Sequence, residues 1–164
     1  MEKADNCGNA PPRLRHDRRS MTDRCPLSRF LEAQAGCYDH ALAELTAGRK
    51  QSHWMWFIFP QIAGLGRSAT AQFFAITGRA EANAYLGHAL LGPRLAECTR
   101  AMLSWAGRRS ATEILGPVDA LKFASCMTLF DACAPRRGYP FADALAAFYH
   151  GQRDQQTLAL FQGP

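Results

Sequence analysis

Residues 50–61 of this chain read KQSHWMWFIFPQ and hold a histidine and two of the three tryptophans, Trp54 and Trp56. The six apolar and aromatic residues 54–59 could form either a buried strand or a buried helix. The sequence offers no second strand, and an unpaired strand would leave its backbone polar groups unsatisfied. We therefore predict a short, buried helix that ends at Pro60, because proline cannot continue a helical turn.

The rest of the chain has a helical rhythm. From Leu27 onward, apolar residues recur every three or four positions, and glycine, proline or a capping Ser or Asp interrupts the recurrences. Ser68 is placed to cap one helix, and Ser110 with Glu113 fits a capping box that opens another. The sequence predicts an all-α fold, with a single compact domain of about eight orthogonally packed helices over residues 27–164.

Residues 1–26 differ from the remainder in composition. They are basic, contain proline and have few large apolar side chains. Such a segment cannot bury enough apolar surface to offset the entropy of folding. We predict a disordered, basic N-terminal tail, and Met21 is a candidate for the true start of the protein.

The formal net charge of +5 raises the question of a nucleic-acid partner. Six cations against four carboxylates in residues 1–26 account for two of these charges, and the other three are spread without a basic stripe. Nucleic acid is therefore not an expected partner. The longest apolar run is too short to cross a bilayer, and the first thirty residues contain no apolar signal core. We expect a cytoplasmic protein without a membrane partner.

Metal and cofactor signatures are missing from the sequence. The five histidines are scattered, and the six cysteines form neither a CxxC pair nor a finger-like cluster with histidine. No metal and no other cofactor is expected.

Ser52 and His53 are adjacent, which invites a hydrolase interpretation. Neighbouring side chains on a helix do not face each other, so these two cannot by themselves act as nucleophile and base. No serine of the chain lies in a GxSxG motif. We expect Ser52 to cap the following helix and the His53 ring to bond a backbone carbonyl.

The aromatic residues of this segment cannot all face one way at helical spacing. Either the helix is enclosed on every side, or one tryptophan lines a cleft that suits a planar, anionic ligand such as a nucleotide. The loop of Gly64, Gly66 and Ser68 could bind an anion at a helix start or could be an ordinary tight turn. The predicted ligand-binding side chains are Lys50, Ser52, His53, Trp54, Trp56, Gln61, Ser68, Gln72, Lys122 and Ser125.

Several strings resemble one known family. They include Ser52-His53-Trp54, Trp56-Phe57-Ile58-Phe59-Pro60-Gln61, Gly64-Leu65-Gly66, Tyr85-Leu86 and Met127-Thr128-Leu129-Phe130. Together they resemble the bacterial domain of unknown function numbered 1810, sometimes labelled calpastatin-like, over about residues 27–161. The resemblance implies a compact all-helical fold and supplies no catalytic residues. One departure is Ala89, which follows His88 where the family pattern has proline.

Two functional hypotheses remain open. The first is a small helical protein that binds a small anionic, nucleotide-like molecule in a pocket around residues 50–72. If it were an enzyme, it would be a metal-free hydrolase or glycosidase acting on nucleotide derivatives, with His53 or Asp119 as acid or base. The alternative is a protein-interaction module without catalytic activity.

Overall fold

Helices make up most of the described chain. The computed structural model describes residues 25–134 and 138–163. In these two ranges lie α1 Ser28–Ala35, α2 Tyr38–Thr46, α3 Met55–Ile58, α4 Ala69–Phe73, α5 Arg79–Gly87, α6 Leu91–Leu103, α7 Ala111–Leu115, α8 Pro117–Cys133, α9 Phe141–Tyr149 and α10 Gln155–Gln162. The only β-type pairing within them is an isolated bridge between Ile62 and Ile76. The all-α prediction is confirmed, and the helix count rises from about eight to ten.

The predicted tail falls almost entirely outside this part of the chain. Of residues 1–26, only Cys25 and Pro26 belong to the described residues, and Met21 does not.

Polar side chains open several helices as the sequence indicates. The Ser68 hydroxyl accepts the Ala71 amide at 3.1 Å, so Ser68 caps α4. Ser110 and Glu113 form both hydrogen bonds of the predicted capping box at the start of α7. Both predictions are confirmed, and each bond satisfies a backbone amide that the first helical turn would leave unpaired.

His88 supplies a start signal that the sequence did not reveal. Its Nδ1 atom accepts the amides of Leu90 and Leu91, at 3.1 Å and 3.3 Å, where α6 begins. This imidazole therefore takes the place of a capping Ser or Asp at that turn, next to Ala89.

The predicted buried helix exists as α3, and its surroundings form the centre of the core. Trp54 and Phe59, on either side of it, are fully buried. The ring of Phe59 meets the ring of Phe123 on α8 edge to face, with centroids 4.8 Å apart. The long helix α8 also packs against α5, α7, α9 and α10. The segment that decides the fold is thus fixed against α8, the helix that packs against four others.

No helix in the described part of the chain is long and apolar enough to cross a membrane. Among the same residues, no group of three or more His, Cys, Asp or Glu side chains could hold a metal ion.

We predict that Gly48 tolerates no side chain. Its φ is +71°, and a Cβ atom there would lie 2.6 Å from Cε2 of Trp105. Gly107 has a similar φ of +76° with open space around it, so it serves as the matched control. Gly107→Ala should lower the free energy of unfolding by about 1 kcal/mol, the cost of a left-handed residue. Gly48→Ala should cost about 2–4 kcal/mol, because the clash adds to that strain. Urea denaturation measures both, and equal losses would contradict the packing described.

Candidate functional site

A single buried carboxylate organises the loop between α2 and α3. Glu44, in the last turn of α2, is 7% exposed. Its Oε2 atom accepts the amides of Gln51 and Ser52, at 2.7 Å and 3.1 Å, and the Trp54 indole Nε1 at 2.9 Å. Its Oε1 atom accepts the Ser52 hydroxyl at 2.6 Å. Four donors from three residues therefore converge on one side chain.

These contacts determine the ionisation of Glu44. Burial raises the pKa of the carboxyl group. The hydrogen bonds from Gln51, Ser52 and Trp54 stabilise the charged form and together outweigh burial. The net result is a pKa lowered from 4.5 to about 2. Glu44 is therefore ionised throughout the physiological range.

His40 completes this cluster from one turn earlier on α2. Its Nε2 atom lies 2.9 Å from Oε1 of Glu44 and 3.0 Å from the Ser52 hydroxyl oxygen. A catalytic serine would be paired with one ring nitrogen of the base while the other nitrogen faced the acid. Here one nitrogen faces both groups, and the serine donates its proton to a carboxylate with a pKa of about 2, which is a weak base. The arrangement supports the loop and is not a nucleophile with its base.

Ser52 does not cap α3. The helix begins at Met55 with Trp54 as its N-cap and without a side-chain cap bond. The prediction of a Ser52 cap is wrong because Glu44 and His40 bind the hydroxyl group instead.

A second polar cluster joins the same loop to α8. The Lys50 ammonium donates to the Ser52 carbonyl at 2.6 Å and lies 2.9 Å from Oδ2 of Asp119. Lys122, one turn further along α8, lies 3.3 Å from the other Asp119 oxygen. Two lysines therefore share one carboxylate. We call Lys50, Asp119 and Lys122 the lysine cluster.

Each lysine of the cluster also lies over an indole ring. The Lys50 nitrogen is 5.1 Å from the centroid of the Trp54 ring, and the Lys122 nitrogen is 4.9 Å from that of Trp56. Trp54 is fully buried, whereas Trp56 is partly exposed. Cation–π attraction therefore holds both ammonium groups, and only the Trp56 ring has surface left for another molecule.

His53 stands apart from both clusters. Its side chain is exposed and forms no hydrogen bond or ion pair with residues 25–134 or 138–163. The expected bond to a backbone carbonyl is therefore absent in this part of the chain.

Three other predicted site residues have separate environments. Gln61 is half-buried, and its carbonyl accepts the Ile76 amide. The Ser68 hydroxyl is committed to its helix cap. Ser125 is buried and bonds the Leu121 carbonyl and Asp154, at 3.1 Å and 3.2 Å. Of the ten predicted residues, the structure brings together Lys50, Ser52, Trp54, Trp56 and Lys122.

Gln72 belongs to a different concavity. It lines an open groove of about 670 Å³ between the N-terminal side of α1 and helices α4 and α5. Arg29 and Glu81 form a 2.7 Å ion pair there, and Phe73 is one of its apolar walls. No residue of the lysine cluster lines this groove.

Sequence reasoning missed Glu44 and His40. The only available signal was their i, i+4 spacing, which brings a histidine and a carboxylate together on a helix. Nothing in the sequence indicated that the carboxylate would bind loop residues seven to ten positions further along the chain.

A family model described as a protein of unknown function, DUF1810, matches residues 24–161. The chain belongs to the DUF1810 family. Among solved structures, it is similar to the conserved hypothetical protein Rv1873 from Mycobacterium tuberculosis, whose crystal structure was determined at 1.38 Å. The two chains are 47% identical, with a TM-score of 0.80, over 84% of this chain and 97% of that one. No curated protein matches the chain. The matched range includes the lysine cluster and Glu44 with its partners His40, Gln51, Ser52 and Trp54.

We predict that Glu44→Gln destabilises the protein by about 2–3 kcal/mol at pH 7, because a neutral amide cannot replace a carboxylate that accepts four hydrogen bonds. The folded-state pKa lies below 4.5, so the carboxylate's contribution is complete above about pH 4.5 and is lost as the pH falls toward 2. Urea denaturation between pH 7 and pH 3 should show the two proteins converging in stability at low pH.

The exposed Glu32 on α1 provides the control for this experiment. Glu32→Gln should change the free energy of unfolding by less than about 0.5 kcal/mol at either pH. A Glu44→Gln deficit that stayed constant down to pH 3 would contradict the assignment.

Proposed function

We propose that this DUF1810 protein binds a small, planar anion of the nucleotide type at the lysine cluster, beside Trp56. The observation that carries the proposal is the sharing of Asp119 by two ammonium groups. One carboxylate neutralises one of the two charges, so the cluster keeps an excess of one positive charge. An anionic group of a ligand would supply the second counter-charge.

The two lysines have different parts in this proposal. Lys50 is 10% exposed and is held by the Ser52 carbonyl, Asp119 and the Trp54 ring. Lys122 is 23% exposed and bonds only to Asp119 among the described residues. Lys122 is therefore the cation that a ligand can reach, while Lys50 fixes Asp119 in place.

Trp56 supplies the second element of recognition. Its ring is partly exposed next to Lys122, and an indole is a good surface for a flat, aromatic group. A ligand with a ring and a nearby phosphate would contact both side chains at once.

A thermal-shift screen tests the proposal. The panel contains AMP, ADP, ADP-ribose and ribose 5-phosphate, with adenosine as the uncharged comparison. A ligand that binds the folded state raises the melting temperature, so at least one phosphorylated compound should raise it by several degrees while adenosine does not. Lys122→Gln and Trp56→Leu should each abolish the shift.

Arg153→Gln is the matched control, because it also removes a cation paired with a carboxylate, Asp131, on the surface. Its ligand response should equal that of the wild type. No shift with any compound, or an undiminished shift in Lys122→Gln, would contradict the proposal.

The alternative, a protein-interaction surface, is favoured by two exposed apolar side chains on α8. Val118 is 64% exposed and Leu121 is 70% exposed, one turn apart. If this surface mediates self-association, sedimentation velocity should show a concentration-dependent dimer that Val118→Ser/Leu121→Ser abolishes without lowering the melting temperature. A monomer at all concentrations would remove the support for self-association.

A further inference from the structure

Two arginines pack on the ring of Trp105, and one of them also binds a distant segment of the chain. Arg108 and Arg109 lie over the same indole ring, with their guanidinium carbons 4.5 Å and 5.2 Å from its centroid. Arg109 also donates to the Gly48 carbonyl at 3.1 Å, and Gly48 directly precedes the exposed Arg49 in the chain. We call Arg49, Arg108, Arg109 and Trp105 the Trp105 patch.

The patch is positively charged and solvent-exposed. Its three arginines are exposed, and Arg100 adds a fourth exposed cation at the end of α6, one turn before Ser104. None of these four has a salt bridge to a carboxylate within the described residues. The carboxylate of Glu113 interacts electrostatically with Arg109, but it accepts the Ser110 amide in the capping box of α7.

The guanidinium groups are held in position before any partner arrives. Arg108 donates to the Ser104 carbonyl at 2.5 Å and Arg109 donates to Gly48, so each uses one N–H group for the protein. A guanidinium has five N–H donors in a rigid plane, and the others remain for phosphate oxygens. Trp105 is itself fixed, because its indole nitrogen donates to the Leu45 carbonyl at 3.0 Å.

The surroundings of the patch favour one class of partner. A helix that lies in a membrane surface combines its cations with large apolar side chains. The exposed large apolar residues of the described chain, Phe73, Leu90, Val118, Leu121 and Leu160, do not belong to the segments that carry Arg49, Trp105, Arg108 and Arg109. An open surface of planar cations on an aromatic ring suits a polymer that offers both phosphates and unstacked bases.

We propose that the Trp105 patch binds single-stranded nucleic acid. Arg49, Arg108 and Arg109 contact successive phosphates, and the guanidinium planes on Trp105 give the bases a stacking surface. Recognition through phosphates and stacking is independent of sequence. This site does not depend on the lysine cluster or on the nucleotide proposal.

Fluorescence anisotropy with the full-length chain tests the proposal, using fluorescein-labelled dT20 and U20 in salt from 50 to 300 mM. Both oligonucleotides should bind, and Arg108→Gln/Arg109→Gln should weaken binding at least tenfold at the lowest salt. The slope of log K against log salt should fall in magnitude by about 1.4, the value for two lost contacts to a single strand.

Two controls separate the patch from general charge. Arg67→Gln/Arg153→Gln removes the same charge at other exposed positions, so it should weaken binding less than threefold. Arg108→Lys/Arg109→Lys keeps both charges but loses the planar groups that stack, so it should weaken binding less than the glutamine double variant does while its salt slope stays that of the wild type. Because every variant retains residues 1–26, binding by that basic segment cancels in the comparison.

Several results would overturn the proposal. They are no binding at 50 mM salt, equal weakening by the two glutamine double variants, or a preference for vesicles containing phosphatidylserine over both oligonucleotides. If Arg108→Gln/Arg109→Gln lowered the melting temperature by more than a few degrees, the lysine variant would decide: a salt slope reduced by about 1.4 although both charges are intact would also overturn the proposal.

Discussion

The hydrogen-bonded carboxylate of Glu44 is the interaction on which the geometry of residues 50–56 depends. The loop between α2 and α3 has no strand or helix of its own, so its amides need partners from elsewhere. Glu44 supplies them for Gln51 and Ser52 and also fixes the indole of Trp54. Its position at the end of α2 makes the loop an extension of a rigid helix. This constraint places Lys50 and Trp56 toward α8.

The loop between α2 and α3 is also bound by residues of α7 and of the first turn of α8. Lys50 donates its backbone amide to the Ile114 carbonyl of α7 and pairs with Asp119 in the first turn of α8. A carboxylate in the first helical turn is also favoured by the helix dipole. The loop is therefore joined to α2 through one acidic residue and to α8 through another. Lys122 and Trp56 come into contact at the surface because Glu44 fixes the loop to α2 and Asp119 fixes it to α8.

Helix positions could be predicted from the sequence because their signals are local. Apolar spacing, the Ser68 cap and the Ser110–Glu113 box each lie within a few residues of the structure they determine. Glu44 could not be found in this way, because two of its four hydrogen-bond donors are backbone amides, which have no residue-specific signature, and none of the four lies within one helical turn of it. Two further contacts join distant parts of the chain and so have no local signal. They are the pairing of Lys50 with Asp119 and the hydrogen bond from Arg109 to the Gly48 carbonyl. The prediction that Ser52 caps α3 followed a local rule and was wrong because the Ser52 hydroxyl donates to the Glu44 carboxylate instead.

Hydrogen exchange of the Trp54 indole N–H and the Ser52 amide, followed by NMR at pH 7, tests the central claim most directly. If the Glu44 carboxylate holds the loop, both protons should exchange as slowly as amides in the middle of α8, because they are released only when the fold opens. Exchange at the rate of an exposed loop, in a protein whose α8 amides stay protected, would show that Glu44 does not organise this segment.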